Sequence, residues 1–356
     1  MIMSSSGQPS SVFIVCADLS AEAYAWHFIQ SLPQKPKHID AIGGDYLKTR
    51  GVKIWKNNQD LSAIGFIQFF SKLPYILLTL IRTIQFIKKT QPDLLLLVDA
   101  GAFNIRLIRH TKHLNIPTYY LMPPRMSVHQ IPSGLNLRLI HYYDFEKDQL
   151  AGMTALQVAH PKAGLITAQP AAKFPFKKLA LFPGSRRFEL KQLIPILETL
   201  RQTTDLEVTY YLQQPHNQKL AQSLGVPPKM IQDTSPENIE ADFAICASGT
   251  ITLEMALRNI PMICIYKVGT FDYQLIKRFV TVKHIALPNL ILNEKFVPEL
   301  IQHECDHKTI KHELDSISQE AVNRQLLGFQ KIRTALTKNP SLQSLLAQKG
   351  SMVEKC

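Results

Sequence analysis

Short apolar runs alternate with amphipathic stretches along most of this chain. Such alternation predicts a parallel α/β architecture: a strand buried on both faces reads as an unbroken apolar run, and its crossover helix as a one-sided one. The first series comprises a strand from Val12 to Ala17, a helix from Ser20 to Leu32 and a short strand from Ile39 to Ile42 ending in Gly43-Gly44. It continues with a strand from Leu94 to Val98, a helix from Asn104 to Leu114 and a strand from Pro117 to Met122. Leu94 to Val98 holds no polar residue, as expected of a central strand. A second series begins near Lys178. Strands are predicted at Leu179–Phe182, Leu206–Leu212, Phe243–Cys246 and Met262–Tyr266. Helices are predicted at Phe188–Thr203 and Pro215–Leu224, from Gly249 onward, and at Phe271–Phe279. From His307 the pattern is mostly helical, with Pro340 as a stop. The Pro- and Ala-rich stretch from His160 to Pro175 reads as a linker. The expected organisation is therefore two doubly wound domains over 1–165 and 176–320, facing a cleft, then a helical segment over 321–356. Ligands belong beyond the carboxyl ends of the strands.

The segment from Ile64 to Ile87 stands apart. Phe70, Leu73, Leu77, Leu80, Ile81, Ile84 and Ile87 recur at helical spacing, while Phe66, Phe69 and Ile76 fall off that stripe. With Lys72, Arg82, Lys88 and Lys89 close by, the over-wide apolar surface fits an interfacial helix or an acyl-chain groove, with Phe66, Phe69, Phe70 and Leu73 as contacts. A buried core helix fits equally well. Gln68, Lys72, Pro74 and Arg82 interrupt it, so no run reaches the roughly 18 apolar residues of a spanning helix.

The remaining composition narrows the partners. The 356 residues are 46% hydrophobic and 19% charged, which is globular composition. The net charge of +12 favours anionic partners, but the basic residues are scattered and form no tract of the kind that binds nucleic acid. The five cysteines form no C-x-x-C pair, and Cys16, Cys246 and Cys264 sit in strand-like runs, which predicts reduced thiols and a cytosolic protein. Met1 to Ser11 lacks the features of a signal peptide.

Two strand-to-helix turns carry candidate chemistry. In Phe-Pro-Gly-Ser-Arg-Arg-Phe-Glu (Phe182 to Glu189), Gly184 permits a tight turn, Ser185 can cap the helix and Arg186 offers a fork that matches phosphate oxygens. In Ala-Ser-Gly-Thr-Ile-Thr-Leu-Glu (Ala247 to Glu254), Ser248, Gly249, Thr250 and Thr252 repeat the arrangement, and Glu254 lies one turn in, where it can accept from ribose hydroxyls. Either turn alone is also an ordinary capped helix; two in one half-chain point to a nucleotide diphosphate. Asp99 ends the strand Leu94 to Val98, placed as a general base or as an N-cap. Asn289 in Leu-Pro-Asn-Leu can bond a sugar or simply make a turn. His303-Glu304-Cys305-Asp306-His307 matches H-E-x-x-H, but Asp306 reads as the N-cap of the next helix, which would break the motif, and no third ligand can be named. The chain has no Asp-x-Asp. Neither a metal nor a cofactor is expected.

Phe182 to Glu189, Ala247 to Glu254, the run from Tyr266 to Leu290 and Val297 to Gln302 resemble the lipid-A-disaccharide synthase family. Gly43-Gly44, Val98 to Asn104 and Phe145-Glu146 follow in the same order. The resemblance implies a GT-B fold and an inverting transfer from UDP-2,3-diacylglucosamine to 2,3-diacylglucosamine 1-phosphate. It implies Asp99 as the base, Arg186, Ser248 to Thr250 and Glu254 around the UDP, and Asn289 as a required residue; Gly184, Ser185 and Thr252 complete the expected donor site. It also implies a cytoplasmic protein held peripherally on the inner-membrane surface, and leaves a homo-oligomer open. The departures lie in the N-terminal half. Ala17 to Glu22 reads A-D-L-S-A-E where the family has G-E-x-S-G-D, so that Asp18, Ser20 and Glu22 form the first-strand loop. Gly101 replaces a proline. The rival readings are a divergent paralogue using another acceptor and a non-catalytic lipid or nucleotide binder.

Overall fold

The computed structural model describes residues 9–16, 18–58, 66–124, 127–132, 136–170, 174–233, 239–269 and 283–349, with the backbone alone of 66–72 and 348–349. The chain divides into two compact units, Met1–Pro161 with Leu336–Cys356, and Lys162–Ala335.

The first unit is built on a seven-stranded sheet in the order β3-β2-β1-β4-β5-β6-β7. Its strands are β1 (Ser11–Cys16), β2 (His38–Gly43), β3 (Lys53–Asn57), β4 (Leu94–Val98), β5 (Thr118–Leu121), β6 (Leu137–His141) and β7 (Ala155–Gln157). Every pairing is parallel. β1 and β4 lie side by side with Cys16 opposite Val98. Both are almost wholly buried, which is why their sequences carry no polar interruption. The crossovers are α1 (Leu19–Ser31), α2 (Asp45–Lys48), α3 (Phe66–Thr90) and α4 (Gly101–Thr111). The helix expected from Asn104 opens three residues earlier, because a left-handed turn at Asp99 and Ala100 delivers the chain directly into it.

α3 covers most of the segment from Ile64 to Ile87 read as helical, with one face on the core and another exposed. Leu80 and Ile87 face the core, and so do Thr79 and Thr83, both 0% exposed. Tyr75, Leu77, Leu78 and Ile81 are 37–52% exposed. The inward face thus mixes apolar side chains with two threonines, while four large apolar side chains point outward. Leu73 is half-buried; the side chains of Phe66, Phe69 and Phe70 lie outside the described residues.

The chain returns to the first unit near its end. Ala159 N–H donates to Pro340 O at 2.9 Å and His160 N–H to Leu336 O at 2.8 Å. Lys338 pairs with Asp144. A last helix, Leu342–Lys349, packs on α1 and buries Leu342 and Leu346.

The second unit has a six-stranded parallel sheet in the order β10-β9-β8-β11-β12-β13. Its strands are β8 (Lys178–Phe182), β9 (Glu207–Tyr211), β10 (Ile231–Gln232), β11 (Phe243–Ala247), β12 (Met262–Tyr266) and β13 (Glu299–Ile301). The expected linker contains a short helix, α5 (Pro161–Leu165). Then follow α6 (Arg187–Arg201), α7 (Pro215–Ser223), α8 (Thr250–Leu257), α9 (Leu287–Leu292), α10 (His307–Ser316) and α11 (Gln319–Thr337). Leu181, Leu193, Ile194, Leu197, Phe243, Ile245 and Ile263 form the centre of its core. The helix expected at Phe271–Phe279 lies outside the described residues.

In each sheet the strand order reverses once, between β1 and β4 in the first and between β8 and β11 in the second. These topological switch points open the crevices in which doubly wound sheets bind ligands.

Candidate active site

At the first switch point three acids gather. Asp18 caps α1, its Oδ1 accepting from Ala21 N–H at 2.9 Å. Ser20 sits half-buried in the first turn of α1. Glu22 is 2% exposed, with Oε2 accepting from Leu47 N–H at 3.0 Å and Oε1 from Asn58 Nδ2 at 2.8 Å. Burial raises its pKa, and those hydrogen bonds work against the rise. A Cβ on Gly44 would meet Glu22 Oε1 at 2.8 Å, so the second glycine of the Gly-Gly pair makes room for this carboxylate. Glu22 therefore ties α1 to α2 and to Asn58 after β3. Asp99 is the exposed acid of the three. The fields converge on buried Cys16, whose thiol is pushed well above its ordinary range by burial first and then by Glu22, Asp18 and Asp99.

The backbone at Asp99 is unusual. Asp99 and Ala100 have φ of 50° and 49°, the left-handed region, which costs an L residue roughly 1–2 kcal/mol. Asp99 O accepts from Tyr120 Oη and from Asn104 Nδ2, each at 2.8 Å. Gly101 follows, where a Cβ would lie 2.6 Å from Pro124 Cβ. Pro124 thus fills the space that a side chain at 101 would need.

At the second switch point β8 and β11 pair with Phe182 opposite Cys246, so the two candidate turns leave neighbouring strands at the same edge. The first differs from expectation in one respect. The helix starts at Arg187, and Ser185 does not cap it. Glu189 reaches back instead. Its Oε2 accepts from the N–H groups of Ser185 and Arg186, each at 3.2 Å, and its Oε1 meets Arg186 Nη1 at 3.2 Å. The anion at these N–H groups is supplied from within the chain. Gly184 has φ of +98° and a Cβ there would come 2.3 Å from Glu189 Oε2, so glycine is needed both for the turn and for the carboxylate. Ser185 is exposed and the Arg186 side chain is 41% exposed.

In the second turn Ser248 Oγ donates to Ile285 O at 2.8 Å, and Gly249 precedes α8 with φ of 147°. Thr250 opens the helix. Thr252 Oγ1 donates to Gly249 O at 2.8 Å and accepts from Leu287 N–H at 3.2 Å. Glu254 Oε1 is engaged by Lys162 of α5. Residues 285–287 are thereby strapped to the turn. From the other side they are held by Glu299, whose Oε1 accepts from Ile285 N–H, Ala286 N–H and Asn289 Nδ2 at 2.9–3.1 Å.

Asn289 belongs to the same strap. It is 0% exposed, and both ends of its amide are taken. Nδ2 donates to Val297 O and Glu299 Oε1, and Oδ1 accepts from the N–H groups of Phe296 and Val297. All four hydrogen-bonding positions of the amide are filled, so it braces the strap and has none left for a sugar. His303 and His307 also behave as the capping argument expects. Asp306 caps α10 through Lys308 and Thr309, and His303 precedes the helix that His307 opens. Sequence reasoning missed Lys162, Glu299, Asn104 and Tyr120 as supports. Glu189 was readable, since an acid three residues past an N-cap is a capping-box spacing.

Two all-parallel units with small-residue turns at their switch points are the plan of a GT-B glycosyltransferase. Solved structures share it: spinosyn forosaminyltransferase SpnP at a TM-score of 0.60 and 10% identity, covering 97% of this chain and all of that one, and Acinetobacter baumannii MurG at 0.53 and 12%, covering 98% and all. At these identities the likeness is one of fold. The family model described as lipid-A-disaccharide synthetase matches residues 12–131 and 149–349, and the chain belongs to that family. The lipid-A-disaccharide synthase of Nitrosococcus oceani is 29% identical over 89% of both chains, and that of Syntrophus aciditrophicus 29% identical over 86% of this chain and 88% of its own. The chain is accordingly a hexosyltransferase with a UDP-sugar donor and a sugar-phosphate acceptor.

Proposed function

We propose that this enzyme transfers 2,3-diacylglucosamine from its UDP conjugate to the 6-hydroxyl of 2,3-diacylglucosamine 1-phosphate, with inversion, in lipid A biosynthesis. The first unit would serve the acceptor and the second the donor. Asp99 takes the hydroxyl proton as the oxygen attacks the anomeric carbon. The bond to the diphosphate breaks, and the departing UDP is met by Arg186 and the turn from Ser248 to Thr250, with Glu254 toward the ribose. The observation that carries this reading is an exposed carboxylate at one switch point and an exposed Arg-bearing turn at the other. General-base catalysis contributes about 10²–10⁴ in rate, so Asp99→Asn should lower kcat by about that factor while leaving UDP binding intact. Mass analysis of the products from the two lipid substrates is the direct test. Near-normal turnover by Asp99→Asn would remove the base, and absence of a disaccharide from the wild-type enzyme would remove the reaction.

The same reading places the enzyme on the cytoplasmic surface of the inner membrane. Support comes from the outward apolar face of α3, with exposed Arg82, Lys88 and Lys89 on the same helix. Among the described residues no helix is long and apolar enough to cross a membrane.

A further inference from the structure

The left-handed pair Asp99–Ala100 is fixed from two directions. Tyr120 comes from β5 and Asn104 from α4, and both are 0% exposed. Each donates to the same atom, the main-chain oxygen of Asp99, at 2.8 Å. A carbonyl oxygen has two lone pairs, and two donors fill them. The N–H of Asp99 donates to Leu121 O at 3.1 Å, and Ala100 O accepts from the N–H groups of Phe103 and Asn104 at 3.0 and 2.9 Å. The peptide planes on both sides of the Asp99 Cα are therefore held, and with them the direction of its Cα–Cβ bond. Residues in such sparsely populated backbone regions persist where their surroundings over-determine them.

We propose that Tyr120 and Asn104 are positioning residues for the general base: acting through the Asp99 carbonyl, they aim its carboxylate at the acceptor hydroxyl. The proposal rests on the reading of Asp99 as the base. Tyr120 stays a donor throughout the working pH range, because burial and the nearby Asp99 charge raise its phenol well above its ordinary value.

The test is steady-state kinetics on the full-length enzyme with both lipid substrates, comparing Tyr120→Phe, Asn104→Ala, Asp99→Asn and the double variants carrying Asp99→Asn. Misplacing a reacting group by an ångström costs up to about 10²-fold, so Tyr120→Phe should lower kcat by about tenfold. UDP affinity, donor KM and Tm should stay near wild type, a split that a loss of general structure would not give. On the Asp99→Asn background the same change should cost nothing further, because groups acting through one another are not additive. Two results overturn the inference while sparing the base: wild-type kcat in Tyr120→Phe beside a crippled Asp99→Asn, or losses that multiply in the double variant. Wild-type turnover in Asp99→Asn itself would remove the base and the inference with it. Should Asn104→Ala fail to fold, Tyr120→Phe, which removes one oxygen and keeps the ring, decides alone.

Discussion

Replacing Asn289 with alanine separates a bracing role from a chemical one. The amide makes four hydrogen bonds at 2.8–3.1 Å, all inside the protein, at a residue that is 0% exposed. A net contribution of about 1 kcal/mol per bond, somewhat more for the one to the Glu299 carboxylate, puts the loss at about 4–5 kcal/mol. In a unit of this size that should lower Tm by roughly 10–15 °C. The segment 285–287, which Glu299 and Asn289 support, is strapped to Ser248 and Thr252, so donor affinity should fall along with stability. Asn289→Asp should be at least as harmful, because it sets a second carboxylate against Glu299 Oε1. Thermal unfolding, calorimetric titration with UDP and turnover, the last two measured at about 10 °C to keep the variant folded, give the three readouts. A variant that melts within about 2 °C of wild type yet turns over no substrate would refute the reasoning and make Asn289 a group that touches the sugar.

Three further expectations follow from the same geometry. Gly184→Ala puts a methyl group where Glu189 Oε2 lies and strains φ of +98°; it should cost about 2 kcal/mol in urea unfolding and weaken UDP binding by about tenfold, and an unchanged UDP Kd would disconnect this turn from the donor. Leu77→Glu with Ile81→Glu should abolish co-sedimentation with anionic phospholipid vesicles with little loss of Tm, since both side chains are about half-exposed; retained binding would exclude α3 as the contact. The raised pKa of Glu22 means that its carboxyl favours folding most when protonated, and that this contribution is lost as pH rises through the raised value; the stability of wild type relative to Glu22→Gln should therefore decline from acid toward neutral pH in urea titrations, and a flat or rising difference would contradict the burial argument.

The fold was legible wherever burial is two-sided. Leu94–Val98 and Met262–Tyr266 coincide residue for residue with β4 and β12, because central parallel strands leave no polar trace. β3, β6 and β7 lie toward the edges; Lys53, Lys56 and Arg138 on half-exposed strands blurred their pattern. The candidate site was legible as two turns and one acid, since glycine, serine and a strand-end carboxylate are local signals. What holds them was not. Asn289 reads as a turn residue until Phe296, Val297 and Glu299 are folded onto it, and Gly101 reads as a lost proline until Pro124 is beside it. Both are partnerships across loops that no spacing rule encodes. α3 misled in a different way, since periodicity reports how wide an apolar stripe is but not which side of it meets the core, and here Thr79 and Thr83 share that side with Leu80 and Ile87.

The return of residues 336–349 to the first unit sets the timetable of folding on the ribosome. Domains generally fold as units in the order of their synthesis. Here the amino-terminal unit, first to emerge, lacks the segment that caps Ala159 and His160 and covers α1 until Leu346 has left the exit tunnel. The later-born unit, contiguous in sequence from Lys162 to Ala335, can close before the earlier one is finished.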